Sequence, residues 1–110
     1  MSRSQRAKGN RGESEARDVL LERGYSIIET SRGRSCEDII ATAGTRTYSV
    51  EVKWHELWNL KAWRRQAKAN AAKRKAHWML MVRITGAPHT FYVEDGDGRP
   101  RIWTGNGAAE

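Results

Sequence analysis

The chain reads as a single α/β domain, a mixed sheet with helices packed against it, and three observations predict this. Its elements follow the order helix, three strands, helix, then two or three strands. Two short β-type runs, 36–41 and 46–53, flank a turn containing Gly44 and so form a hairpin. The run Trp78 to Ile84 is apolar and carries no charge before Arg83, the composition of a well-covered strand.

The first twelve residues hold Arg3, Arg6, Lys8 and Arg11 and no acid before Glu13, which reads as a mobile basic arm over 1–12. Helix signals begin at Gly12 to Glu13 and run to Arg23, with Gly24 as the stop. At about 100° per residue, Ala16, Val19 and Leu20 make the buried stripe, with Glu15, Asp18 and Glu22 on the opposite side. Glu13 falls instead on the Leu20 edge of the stripe, where a carboxylate needs a partner. Tyr25 to Glu29 reads as a strand, and Ser31 to Ser35 as a flexible basic loop holding Arg32 and Arg34.

After the hairpin, residues 60–76 are rich in Ala, Lys, Arg and Gln and free of Gly, Pro and acid, the strongest helix signal in the chain. Leu60, Trp63, Ala67 and Ala71 form its packing stripe, and Lys61, Arg64, Arg65, Lys68 and Lys75 collect on an adjoining face. Thr90 to Glu94 and Arg101 to Trp103 complete the strands, giving a domain over 13–104 and a disordered tail over 105–110. Trp63 and Trp78 read as core, whereas Trp54, Leu57, Trp58 and also Trp103 are candidates for a dimer or DNA contact.

The 110 residues carry 20 Lys and Arg against 13 Asp and Glu, a net charge of +7 that points to a polyanionic partner, nucleic acid first. The single Cys36 excludes an internal disulfide, and no apolar run approaches the roughly 20 residues that span a bilayer. A soluble, cytoplasmic protein is expected, in the host cytoplasm if the source is viral. His55 and His77 match no zinc spacing.

The hairpin carries the chemistry. Folded about Gly44, it sets Asp38 nearly opposite Glu51, close enough for both carboxylates to share a cation. Glu51 and Lys53 point to one face, Val50 and Val52 to the other. Two oxygen ligands beside an ammonium suit a hard divalent metal and phosphodiester cleavage. An acid two residues before a lysine is common by chance, so a solvated strand face is the bland alternative. The return of Asp38, the placement of Glu13 and the acid-free basic helix weigh against it.

Gly9-x-x-x-Glu13, the helix ending Gly24-Tyr25, the Asp38-Ile39-Ile40-Ala41 strand, Glu51-Val52-Lys53 and Arg64-Arg65-Gln66-Ala67 together resemble the archaeal-type Holliday junction resolvases of the PD-(D/E)XK nuclease superfamily. The resemblance covers residues 8–84, includes the expected 13-residue step from Asp38 to Glu51, and departs from the family at Glu37, where proline commonly precedes the aspartate. It implies a restriction-endonuclease-like fold and a dimeric, Mg²⁺-dependent endonuclease that cuts four-way DNA junctions, with Mn²⁺ able to substitute. By the same resemblance Glu13, Asp38 and Glu51 are the acidic site residues, Lys53 the catalytic lysine, and Ser31 and Gln66 further site residues. Asp38, Glu51 and the Val52 carbonyl would hold the metal, with Glu13 acting through water or on a second ion. The basic arm, Arg32, Arg34 and the cationic helix face would contact phosphates. Two alternatives stand beside this reading: a nuclease of the same superfamily acting on flaps, nicks or linear DNA, and a non-catalytic DNA-binding protein of the same fold.

Overall fold

The computed structural model describes the backbone at residues 3–30 and 38–106, and the side chains at 11–28 and 38–106. Ser31, Arg32 and Arg34 lie outside the described residues, as do the side chains of Arg3, Arg6 and Lys8. The elements are α1 (Arg3–Glu22), β1 (Ser26–Thr30), β2 (Ile39–Ala43), β3 (Arg46–Lys53), α2 (Leu60–Arg74), β4 (His77–Arg83), β5 (Thr90–Asp95) and β6 (Arg101–Thr104). All six strands join one sheet in sequential order. Only β3 and β4 run parallel, and α2 is the crossover that a parallel pair requires; the other neighbours are antiparallel. No helix among the described residues is long and apolar enough to cross a membrane.

The two sheet faces pack differently. On one, Ala16, Val19 and Leu20 of α1 meet Ile39, Ala41, Val50, Met79, Met81, Phe91 and Val93, nearly all without solvent exposure. Burying apolar side chains of that size stabilises by about 1.5–3 kcal/mol each, so this face supplies most of the packing free energy. On the other face α2 docks through Ala67 and Ala71, with Leu60 and Trp63 half-buried over Leu80, Val82 and Trp78. Small side chains add little burial but let the helix approach β3 and β4 closely. Asn59 caps α2 by accepting from the Ala62 N–H at 3.2 Å, and Lys75 ends it in the left-handed conformation, donating to the Ala71 and Ala72 carbonyls.

Helix α1 corrects three expectations. It begins at Arg3, so the segment expected as a mobile arm is helical. Within it, buried Gly12 lies against Trp54, and Arg11 bonds Glu15 one turn on at 3.2 Å. The second correction is Glu15, expected on the solvent side and in fact 5% exposed. A helical projection registers hydrophobicity and cannot see a cation waiting on the sheet. Arg83, 2% exposed at the end of β4, donates Nε to Glu15 Oε1 at 2.8 Å and an Nη to Oε2 at 3.2 Å, while the His89 N–H donates to Oε1 at 2.6 Å. The guanidinium also lies 4.0 Å from the Trp54 ring. Third, Glu22 accepts from the Asn106 N–H at 3.0 Å, and Gly105 donates to the His89 carbonyl at 2.8 Å. Residues 105–106, expected as tail, are therefore bonded to the domain, and 107–110 lie outside the described residues. A Cβ at Gly105 would stand 2.6 Å from a Glu22 oxygen and 3.0 Å from Val19, so a larger residue there would require the Glu22 side chain to shift.

Trp103, a candidate contact residue by sequence, is 7% exposed and packs in the α1-side core, 6.0 Å from the Tyr25 ring. Leu57 and Trp58 are exposed.

Burial alone would raise the Glu15 carboxyl, but Arg83 and the His89 N–H overcome it and hold the group below its ordinary 4.5. A lowered carboxyl contributes stability that is complete above the unfolded value and lost as pH falls through the folded one. Replacing Arg83 by Met should cost about 3–5 kcal/mol in urea unfolding at neutral pH, because a buried carboxylate loses its main partner. The penalty of Glu15→Gln should shrink as pH drops below 4.5. A penalty independent of pH would show that the pair does not hold α1 in place.

Candidate active site

The hairpin forms as its spacing predicts. Gly44 and Thr45 make a two-residue turn, with Gly44 at φ +61° and Ala43 paired with Arg46. From there the register runs to Ile39 opposite Val50, and the Asp38 N–H donates to the Val50 carbonyl at 3.1 Å, which carries Asp38 to the level of Glu51. The alternation of β3 sends Val50 and Val52 into the α1-side core and turns Glu51 and Lys53 to the α2 side.

Each acid is held differently. Asp38 Oδ2 accepts from the Val52 N–H at 2.7 Å, so Val52, expected to act through its carbonyl, meets Asp38 through its amide. Glu51 is 4% exposed; its Oε1 accepts from Asn70 Nδ2 at 3.0 Å and its Oε2 lies 3.6 Å from Lys53 Nζ. Glu13, on α1, shares a hydrogen bond with Asp38. The helix thus delivers the third carboxyl to a site whose other members come from the hairpin.

Crowding three carboxyls in a half-buried site has an electrostatic consequence. Burial, the hydrogen bond with Asp38 and the charges of Asp38 and Glu51 push the Glu13 carboxyl up to about 8, against the pull of Arg17. Burial and the Asp38 charge push Glu51 up to about 7, against Lys53 and Asn70. Acids that resist ionising together either share protons or take up a cation. Among the described residues, no three His, Cys, Asp or Glu side chains are already spaced as a metal cage. The donor set is nevertheless all oxygen and, once ionised, anionic, which fits a hard divalent ion.

Several expected site residues stand elsewhere. Gln66 is exposed, and the side chain that α2 offers to Glu51 is Asn70, one turn further on and 7% exposed. Sequence reasoning passed over Asn70, although it lies three residues after Ala67 and seven after Trp63, on the buried stripe, where an amide needs a partner. Arg64 is paired: its Nε and Nη2 bind both oxygens of Glu94 on β5, and the Tyr92 hydroxyl donates to the same carboxylate. Burial opposes this less than the Arg64 hydrogen bond favours it, and the Glu94 carboxyl sits below its ordinary value. Lys68 lies 5.4 Å from the Trp78 ring, Arg11 is bound to Glu15, and Lys75 is the cap residue of α2, while Lys61 and Arg65 are exposed. Because Asn70 reaches β3 and Arg64 reaches β5, the cationic flank of α2 lies across the helix from the carboxyls.

A mixed six-stranded sheet between two helices, with these elements in this order, is the restriction-endonuclease-like fold. Among solved structures the chain is similar to Hjc, a Holliday junction resolvase from the archaeal hyperthermophile Archaeoglobus fulgidus, with a TM-score of 0.54 and 20% identity over 88% of this chain and 85% of that one. No protein-family model and no curated protein matches the sequence.

The raised carboxyls set a pH dependence opposite to that of Glu15. A raised acid favours the folded state below its unfolded pKa, and that contribution is lost as pH rises through the folded value. In chelator, stability should therefore fall as pH rises from 4.5 toward about 8. Above that range Glu13→Gln and Glu51→Gln should each melt higher than the parent, by about 4–8 °C if relief amounts to about 1 kcal/mol. Melting points equal to or below the parent's at high pH would count against a strained acidic cluster.

Proposed function

We propose that this chain is a metal-dependent endonuclease that hydrolyses phosphodiesters at branched DNA, acting as a homodimer that resolves four-way junctions in recombination and repair. The observation that carries the reading is the meeting of Glu13 from α1 with Asp38 and Glu51 from the hairpin, with Lys53 3.6 Å from Glu51. The similarity to Hjc supports the fold on which such a site would work. The net charge of +7 supports a polyanionic substrate, and the cytoplasm, that of the host if the source is viral, is where the protein would meet it.

In this mechanism Asp38 and Glu51 would hold Mg²⁺ or Mn²⁺, with the Val52 carbonyl as a further donor and Glu13 acting through water or on a second ion. Such an ion would supply Lewis-acid polarisation and lower the pKa of a water beside it. Lys53, side chain 18% exposed beside Glu51, orients the attacking water or offsets charge that builds on the phosphate oxygens. Asn70 and the Val52 N–H each occupy a carboxylate oxygen and thereby fix the ligands in place. Ser31, outside the described residues, is a further candidate by family resemblance, whereas Gln66 is exposed and Asn70 is the α2 side chain that meets Glu51.

Arg3, Arg6, Lys8, Arg11, Arg32 and Arg34, together with Lys61, Arg65, Lys68 and Lys75, provide phosphate contacts. Those on α2 lie across the helix from the carboxyls, so they engage DNA away from the scissile bond. Two cuts related by two-fold symmetry require two sites, and hence two subunits in an isologous pair. Leu57 and Trp58, exposed after β3, are the apolar candidates for that contact.

End-labelled four-way junction, flap and linear duplex, each with Mg²⁺ and with chelator, test the activity. The junction should be nicked symmetrically near its branch point only with metal, and Asp38→Ala or Glu51→Ala should reduce cutting below detection while binding persists. A mixed dimer with one Glu51→Ala subunit should nick a single strand. Preferential cutting of flap or linear DNA by a monomer would shift the assignment to a repair or restriction-like nuclease, and metal-independent binding without cleavage to a non-catalytic DNA-binding protein.

Salt dependence separates the roles of neighbouring cations. Lys61→Ala and Arg65→Ala should each lower the slope of log K against log salt by about 0.9. Arg64→Ala should chiefly destabilise the fold by stranding Glu94. A slope unchanged in the first two variants would leave this flank merely solvated.

A further inference from the structure

We propose that Asn70 is a positioning residue that sets the cation preference of the site, by occupying one oxygen of Glu51 and leaving the other as the only point at which that carboxylate meets a metal ion. The inference rests on the reading of Glu51 as a metal ligand. Its basis is geometric. The Asn70 amide is 7% exposed and the Glu51 carboxylate 4%, so neither exchanges its partner freely with water. Nδ2 donates to Oε1 at 3.0 Å. Asn70 is held in place by α2 itself, between Ala67 and Ala71, which pack against the sheet with almost no exposure. An ionised carboxylate only accepts, so the amide must turn its NH₂ toward it, and that hydrogen bond competes with any ion seeking Oε1. The second oxygen, Oε2, faces Lys53.

A carboxylate left with one oxygen not taken by Asn70, here Oε2 beside Lys53, discriminates between cations. Ca²⁺ gathers six to eight oxygens and commonly uses both atoms of a carboxylate, whereas Mg²⁺ takes single oxygens in an octahedron and keeps several waters. An Asn70 that closes Oε1 therefore penalises Ca²⁺ more than Mg²⁺ or Mn²⁺. The exposed Gln66, one turn earlier, makes no such contact with Glu51 among the described hydrogen bonds.

The test needs neither DNA nor turnover. Mn²⁺ and Ca²⁺ are titrated separately into the full chain by calorimetry, in wild type, Asn70→Ala and Asn70→Leu. The leucine variant keeps most of the side-chain volume in case the alanine variant fails to fold, and thermal unfolding confirms that each is native. Removing an outer partner of a ligand typically weakens the preferred ion by about 10–100-fold. Mn²⁺ affinity should fall within that range while Ca²⁺ affinity holds or rises, so that the preference for Mn²⁺ over Ca²⁺ narrows at least about tenfold. A wild-type preference in folded Asn70→Leu overturns the inference and leaves the proposed function standing. Absence of binding of either ion to wild type, or binding unaffected by Glu51→Gln, overturns the metal site itself and the inference with it.

Discussion

The buried pair between Glu15 and Arg83 fixes where everything else can be. Arg83 closes β4, the strand at the centre of the sheet, and binds both oxygens of a carboxylate on α1. Its guanidinium lies over Trp54, the residue that follows Lys53, and its partner also receives the His89 N–H from the turn before β5. One ion pair thus ties α1 to β4, to the exit of β3 and to the entry of β5. Glu13 lies two residues before Glu15 on the same helix. The position of the third site carboxyl is therefore a consequence of how that helix is anchored, since apolar packing of Ala16, Val19 and Leu20 alone would tolerate small slides and rotations. A bidentate, desolvated pair does not, because half-satisfying it costs more than never forming it.

The two acidic clusters of α1 form a contrast with one physical origin. Glu15 and Glu13 are neighbours on one helix, both removed from bulk water, and their carboxyls move in opposite directions. Glu15 meets a guanidinium and a backbone N–H; Glu13 meets other acids. Burial acts the same way on both, so the sign of the shift is decided by partners. Groups pushed apart in this way mark Glu15 as structural and Glu13 as a candidate for chemistry. The first stabilises the fold at neutral pH, and the second weakens it unless a cation or a proton is present.

Legibility in the sequence follows from which forces leave a periodic trace. The hairpin register was readable because a two-residue turn fixes it and strand alternation then assigns faces to Asp38, Glu51, Lys53, Val50 and Val52 without tertiary knowledge. The core stripes of α1 and α2 were readable for the same reason at a period of 3.6. What escaped was polar and long-range. Glu15 and Arg83 are 68 residues apart, and nothing local marks either as buried. Arg64 looked like a phosphate ligand because its own helix holds no acid, yet Glu94 lies across on β5. Trp103 reads as spare because neither the hairpin nor the long-helix core calls for it, but pairing with β5 carries it into the core. The start of α1 at Arg3 has no acid in its first turn to mark it, and cations without an acid before Glu13 read as an arm. Asn70 leaves a trace, an amide on an apolar stripe, whereas Gln66 falls beside that stripe and is exposed.

The distribution of charge joins fold to function. Many of the cations are spent on acids of the chain itself: Arg11 and Arg83 on Glu15, Arg64 on Glu94, Arg101 on Asp95 and Arg46 on Asp97. Pairing does not alter the sum, and the excess of +7 acts on a polyanion at distances up to the Debye length of about 8 Å. At contact the balance differs, because Glu13, pushed up to about 8, is largely protonated at neutral pH and Glu51, pushed up to about 7, is only partly ionised, so the acids of the site oppose Lys53 with less than their formal charge. On the proposed reading, a divalent cation among those carboxylates would favour their ionised forms and add positive charge where a phosphate would approach. The metal would then link the long-range attraction of a +7 protein to the local chemistry proposed for Glu13, Asp38 and Glu51.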